Sequence, residues 1–552
     1  MTDFPILTLL VFLPLLGAVL VGLLPREEQG QQRALGLGFM LATLGVACWA
    51  AAAFDGRAGA PEFQLQTTVP WVKGLGLSYH VGIDGFALVL VLLTAVLGPL
   101  VVLSAFSAVK ERVKEFVIAL LVLQTAMLGA FLSLDLVLFY VFWELMLVPM
   151  YLLIGIWGSE RRLYAAVKFF VYTMAGSLLM LIAILYVYFA VAGPGGHTFD
   201  YLEILKAAPK LPRATQVWLF SAFAISFAIK VPMVPLHTWL PDAHTEAPAA
   251  GSVILAGVLL KMGGFGFLRY AFPLFPRGAF ELRTTLAVLA VVGILYGALM
   301  CLAQRDMKRL VAYSSVSHLG FVMLGLSAFT VEGLSGGVYQ MLNHGVSTGA
   351  LFVLVGILYE RRHTRALADY GGLARVVPGL AAAWLLVTLA SIGLPGTNGF
   401  VGEFLILAGS WTSRLANAPV IASVAAAGVI LGAVYMLWMY QRVFFGKVRH
   451  RENERLADLS GREWAVLAPL AALIVVMGVW PQPWLDWIQP SAERLVQRMG
   501  DARAAEVGLA PISEPVFAPA PPRAAPAPGA APGHPFPQIP PNILRQLMRR
   551  HH

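Results

Sequence analysis

Runs of about 20 apolar residues, separated by short polar or basic loops, recur along most of the chain. A run of that length matches one helical crossing of a bilayer. About fourteen such spans can be drawn, at 4–24, 33–53, 85–106, 115–134, 136–157, 166–192, 215–240, 247–271, 284–303, 309–329, 334–359, 377–411, 418–445 and 463–486. Two of them are interrupted. Pro232 and Pro235 break the seventh just after Lys230, and Gly393, Pro395, Gly396 and Gly399 deny a regular helix to the twelfth. The first run has no basic leader and no obvious cleavage site, so it reads as a retained span. The pattern predicts an all-α polytopic membrane protein.

Shifting the chain by 173 residues sets Lys230 on Glu403, Tyr186 on Tyr359, and Glu144 on Ser317, next to His318. Five spans then map onto five. Because five is odd, the second unit starts from the opposite membrane face, as in an inverted repeat with one broken span per unit near corresponding places. The predicted organisation is N-terminal helices over 1–113, a first five-helix unit over 114–272 and a second over 281–445. A basic loop and last span follow over 446–490, then a Pro/Ala-rich tail over 491–552, expected to be extended or disordered.

Composition agrees, with 58% hydrophobic and 12% charged residues. The net charge of +9 does not point to nucleic acid, because the excess sits in short loops and the tail. Basic residues gather after the third, fifth, ninth, eleventh and thirteenth spans, which puts those loops in the cytoplasm and both termini outside. The loop after the sixth span, with Lys206, Lys210 and Arg213, runs against this. Cys48 and Cys301 both lie in apolar runs and no CxxC is present, which argues against a disulfide scaffold and against zinc or iron–sulfur ligation. No GxxxxGK[ST] loop is present, so ATP-driven pumping is not indicated. The GGFGF run at 263–267 sits inside a span and carries no dinucleotide reading. His237, Asp242 and His244 imitate a metal spacing, but a loop and helix-capping role is preferred.

Candidate chemistry lies inside the spans. Glu144, Lys230, Lys261 and Glu403 carry charge in apolar runs, and His318 and His344 add imidazoles. A charge at the centre of a bilayer costs about 2.5–3.5 kcal/mol on insertion scales, so such residues are functional candidates by default. Glu144 and Lys230 have opposite signs and are expected to partner each other. The histidines both donate and accept protons and can extend a relay between charged ends. Each residue also has a bland reading: a structural ion pair for Glu144 and Lys230, snorkelling for Lys261, packing for the histidines, backbone capping for Glu403. Six together in one membrane chain favour an ion path.

The segments KVPMVPLHTWLPDAHTEAPAAGSVILAGVLLKMGGFG, FYVFWELMLVPMYLLIG, KRLVAYSSVSHLGFVMLG and GLPGTNGFVGEFLIL resemble the antiporter-like membrane subunits of respiratory complex I, of the M or chain-4 type. The resemblance covers roughly residues 1–490 and leaves out the tail. It implies fourteen transmembrane helices with two inverted five-helix units, in a multi-pass protein of the bacterial inner membrane. It further implies proton translocation coupled to electron transfer from NADH to quinone. The family's functional residues fall on Glu144, Lys230, Lys261, His318, His344 and Glu403. Glutamate at 403, where sibling subunits carry lysine, favours the M type. No cofactor is expected in this chain; FMN, iron–sulfur clusters and quinone would belong to partner subunits. Expected partners are the other membrane-arm subunits, including sibling antiporter-like subunits, together with lipid and protons. The alternatives are a subunit of a multi-subunit sodium/proton antiporter, a proton-pumping membrane hydrogenase, or a structural anchor.

Overall fold

Twelve helices among the described residues are long and apolar enough to cross a membrane. They are α1 (Ile6–Leu23), α2 (Gln29–Ala53), α3 (Gly85–Ala108), α4 (Val113–Leu132), α5 (Leu136–Trp157), α6 (Arg162–Ala190), α9 (Ala249–Leu274), α10 (Pro276–Leu302), α11 (Met307–Ala328), α12 (Val331–Arg362), α15 (Ala418–Phe444) and α16 (Gly461–Val479). At the two remaining expected spans lie end-to-end pairs of shorter helices. These are α7 (Arg213–Lys230) with α8 (Trp239–Glu246), and α13 (Pro378–Ser391) with α14 (Asn398–Trp411). The computed structural model describes residues 5–57, 59–193 and 196–506. Residues 507–552, most of the Pro/Ala-rich tail expected to be extended or disordered, lie outside the described residues.

Both expected breaks are present, but they do not occupy equivalent places. Lys230 is the last residue before its break, whereas Glu403 follows its own. The last span also ends early, at Val479 rather than 486. Beyond it, residues 491–506 are not extended as expected: they belong to the helix α17 (Gln482–Glu506). Their spacing of apolar positions, including Leu485, Ile488, Ala492, Leu495 and Met499, buries one face. Arg494 donates to the Ala60 carbonyl at 2.6 Å, Arg498 grips Glu62 at 2.9 and 3.2 Å, and Ser491 Oγ accepts from the Gly85 amide. Thus α17 clamps the loop before α3. On the same side, β1 (Gln64–Val72) and β2 (Leu77–Ile83) form an antiparallel hairpin. His80 of β2 pairs with Asp200 at 2.6 Å.

Three spans are wholly interior: the apolar windows of α9, α11 and α12 are buried along their full length. The crossing of α9 and α12 is set by two glycines. A side chain on Gly345 would meet the Gly257 carbonyl at 3.0 Å and Leu93 at 2.6 Å. Small residues at such a point let helix backbones approach closely inside a membrane.

The face opposite the hairpin is braced by charge. Lys168 pairs with Asp242 at 2.7 Å, Arg361 with Glu463 at 2.8 Å and Arg365 with Asp306 at 3.2 Å. Lys308, assigned from sequence to a basic loop, is buried and donates to the Ala247 carbonyl just past α8, as cations do at helix C-termini. Asp458 accepts from the amides of Gly379 and Leu380 at the start of α13. Partial burial raises its pKa, but these bonds and that from Leu459 outweigh it and hold the carboxyl below its usual value.

A carboxyl depressed in this way stabilises the fold above the ordinary carboxylate range and loses that contribution as pH falls through its folded value. Asp458→Ala is expected to cost about 1 kcal/mol, as for other helix N-terminal caps. It should also flatten the acid limb of the stability profile. Thermal melts of the detergent-solubilised protein across pH 3–7 check this; an unchanged acid limb would remove Asp458 from the account.

Candidate functional site

The charged and imidazole side chains singled out from sequence fall into two groups. The first lies around the break after α7. Pro232 and Pro235 end that helix, and the Trp239 indole of α8 donates to the Ile229 carbonyl at 2.9 Å, satisfying a backbone acceptor that the break exposes. Lys230 is 1% exposed and has no hydrogen-bond partner among the described residues. Its Nζ instead stands 4.8 Å from the centre of the Trp143 ring and 5.9 Å from that of Phe169, in cation–π range. Glu144 follows Trp143 on α5. Pro149 removes a hydrogen bond from that helix and crowds the Leu145 carbonyl, so α5 is interrupted at Met146, beside Glu144. The expected direct pairing of Glu144 with Lys230 is not seen: no ion pair within 4.0 Å joins them, and Glu144 Oε1 is buried without a partner. The Trp143 face stands next to the amine.

The second group is contiguous. Lys261 is fully buried at the middle of α9, which excludes snorkelling. It stands between two wide, π-helical turns, Leu255–Leu259 and Phe267–Ala271. Such turns release backbone groups and are frequent at functional sites. Lys261 Nζ donates to the Ala256 carbonyl and lies 2.6 Å from His344 Nδ1. The rings of His344 and His318 are 5.9 Å apart, edge to face. His318 Nδ1 is then 3.5 Å from Glu403 Oε1. Both histidines line a cavity of about 10 Å³, together with Gln340, Asn343 and Ser347, close to the volume one water needs. The line Lys261–His344–His318–Glu403 therefore crosses from α9 through α12 and α11 to α14.

Two glycines make room for its far end. Gly393 adopts φ +71° in the turn between α13 and α14, and a side chain there would meet Glu403 Oε2 at 2.6 Å. Only glycine supplies both that backbone and that space without strain. A side chain on Gly402 would meet Gln340 Oε1 at 2.5 Å.

Sequence reasoning missed the amide residues around Glu403. Gln340 Nε2 donates to Glu403 Oε1 at 3.3 Å, Asn343 donates to Gln340 at 2.9 Å, and Ser347 donates to Asn398 at 3.3 Å. The signal was available: Gln340, Asn343, His344, Ser347 and Thr348 repeat at three- and four-residue spacing, a polar stripe along one face of α12. Also missed was the buried pair Asp84–Arg269, at 2.5 Å, with Arg269 two turns beyond Lys261 on α9. Asp242 and His244 lie within α8 rather than in a loop. Asp242 pairs with Lys168, and His244 stacks on Phe352 at 4.6 Å. Among the described residues no group of three or more His, Cys, Asp or Glu is arranged to hold a metal ion.

A bundle with two broken crossings and a buried line of basic, imidazole and acidic groups defines a class of membrane protein built around intramembrane ionisable residues. Residues 133–449 match the family described as NADH:quinone oxidoreductase/Mrp antiporter, TM. NADH-quinone oxidoreductase subunit M of Rhodobacter capsulatus is 44% identical over 507 residues, covering 89% of this chain and 96% of that protein. Subunit M of Pseudomonas aeruginosa is 42% identical over 515 residues, covering 91% and 100%. A chain of respiratory complex I from Thermus thermophilus with bound NADH superposes with a TM-score of 0.80 at 35% identity, covering 90% of this chain and all of that one. The Mrp complex from Dietzia sp. has the same fold, with a TM-score of 0.75 at 23% identity, covering 90% and 52%. The chain belongs to the subunit M family of NADH-quinone oxidoreductase, the antiporter-like membrane subunits of complex I.

Gly402→Ala is expected to push Gln340 away from Glu403 and to lower stability by about 1–3 kcal/mol, the usual range for overpacking. Melting of the purified protein and a structure of the variant check this. A Gln340 that keeps its contact with Glu403 at unchanged stability would show that the site tolerates the methyl.

Proposed function

We propose that this chain carries protons across the membrane as a subunit of an NADH:quinone oxidoreductase, through Glu144, Lys230, Lys261, His318, His344 and Glu403. The observation that carries the reading is the buried succession of Lys261, His344, His318 and Glu403, because so many ionisable groups in hydrocarbon are costly unless they work together. Oxidation of NADH and reduction of quinone belong to partner subunits, which hold FMN, the iron–sulfur clusters and the quinone site. This chain contributes the translocation step, in the bacterial inner membrane with both termini on the periplasmic side.

Each side chain has a role that its geometry permits. Lys230 sits on an aromatic face with no hydrogen bond, so its charge responds to a change in distance from Glu144. Movement of this pair gates uptake from the cytoplasm. Lys261 holds the proton at mid-membrane and passes it from Nζ to His344 Nδ1, 2.6 Å away. As that nitrogen gains a proton, His344 Nε2, buried with no protein partner, releases one toward the polar cavity. One water there bridges to His318. His318 delivers a proton to Glu403, whose carboxylate is held by Gln340, and Glu403 passes it on toward the outside. Reprotonation of Lys261 from the uptake side, release of the proton from Glu403 and return of the imidazoles to their first tautomers reset the line.

The test uses the assembled complex in proteoliposomes, with NADH oxidation and proton uptake measured separately. His344→Leu and Glu403→Gln are each expected to lower coupled pumping at least roughly tenfold, equivalent to about 1.4 kcal/mol on the limiting step. Glu144→Ala should lower it as well. Wild-type pumping and NADH oxidation in all three, with normal assembly, would refute the relay. Sodium-dependent antiport without NADH oxidation would favour an antiporter subunit instead.

A further inference from the structure

The hairpin side of the bundle carries arginines that the charge pattern of the loops does not predict and the relay does not use. Arg213 begins α7, Arg277 and Arg283 lie in the first turns of α10, and Arg503 lies near the end of α17. With Phe280 and Glu281 they line one cavity of about 190 Å³, well above the ~10–15 Å³ that holds one water. Four guanidiniums face one carboxylate, a net charge of +3 from groups that three separate helices bring together.

The cluster is built rather than incidental. Arg283 is only 8% exposed and is anchored by donating to the Arg414 carbonyl. The guanidiniums of Arg283 and Arg503 each lie 5.4 Å from the centre of the Phe280 ring, which holds both toward the cavity. The Arg277 amide is fixed by Gln216 Oε1 at 3.0 Å. Only Arg213 has a carboxylate partner, Glu281 at 2.9 Å; among the described residues none lies within 4.0 Å of Arg277, Arg283 or Arg503.

What lies beside the cavity indicates the ligand. The neighbouring helices α7 and α10 present apolar side chains outward: Trp218 at 79% exposure and Ile225 on α7, Val288 and Val292 on α10. Trp218 is about one turn from Arg213, where an aromatic ring marks the membrane–water boundary. A basic cavity on helices that also carry outward apolar side chains matches a molecule with an anionic head and hydrocarbon chains. We propose that Arg213, Arg277, Arg283 and Arg503 form a binding site for an anionic phospholipid, the arginines taking the phosphate and the outward faces of α7 and α10 taking the acyl chains.

The test reconstitutes the assembled complex in nanodiscs containing brominated phosphatidylglycerol or brominated phosphatidylcholine. The signal is the tryptophan quenching lost in Trp218→Phe. Phosphatidylglycerol is expected to quench Trp218 preferentially. Arg503→Gln, at an exposed position where the fold is not at risk, should reduce the preference roughly fivefold, the factor matching about 1 kcal/mol per basic group near a lipid surface. Arg277→Gln should act alike. Equal quenching by both lipids, or a preference surviving both substitutions, overturns the proposal. Displacement of phosphatidylglycerol by inorganic phosphate at matched concentration overturns it in favour of a free-anion site. No quenching by either lipid, with Arg503 crosslinking to a sibling subunit, overturns it in favour of a protein acid as the occupant.

Discussion

Everything ionisable in the interior of this bundle answers to one constraint: hydrocarbon offers no hydrogen bonds, so a buried polar group must be satisfied within the protein or remain costly. The helices that carry Lys261, His318 and His344 are the three with wholly buried windows, and the apolar spans around them take the contact with lipid. The same constraint bears on the first wide turn of α9. It contains the Ala256 carbonyl that accepts from the Lys261 amine, so one donor is met by backbone and another by His344.

The two halves meet this constraint differently. From Lys261 to Glu403 every neighbour along the line is another polar side chain, or a cavity able to hold water. Around Lys230 the neighbour is an aromatic face, and both the amine and Glu144 Oε1 stand without a hydrogen bond. Hydrogen bonds are directional, whereas an aromatic face tolerates small displacements of a cation at modest cost. The first half is thus the more responsive to a neighbouring charge, and the second the more fixed in geometry.

Most of the spans were legible in the chain because the apolar period is strong and loops are short. Both breaks were legible because proline and glycine act locally. The ionisable residues stood out because each is rare in an apolar run. What was not legible depends on tertiary geometry. Lys230 stands over the Trp143 ring with no ion pair to Glu144 within 4.0 Å, and no spacing rule encodes that. The hairpin and the helical start of the supposed tail are amphipathic rather than apolar, so they fall below a search for spans. The stripe from Gln340 to Thr348 was visible, but uncharged side chains carry a weaker penalty and drew less notice.

The crossing of α9 and α12 ties these points together. Gly257 and Gly345 set the backbone separation, and His344 is the residue next to Gly345. The short contact between Lys261 and His344 is therefore a consequence of helix packing and not of side-chain reach alone. A change in the crossing would lengthen that contact before disturbing the histidine and glutamate beyond it, which are held from α11 and α14. Conversely, α9 also carries Arg269, paired with Asp84 at the hairpin end, so one helix is pinned at two depths.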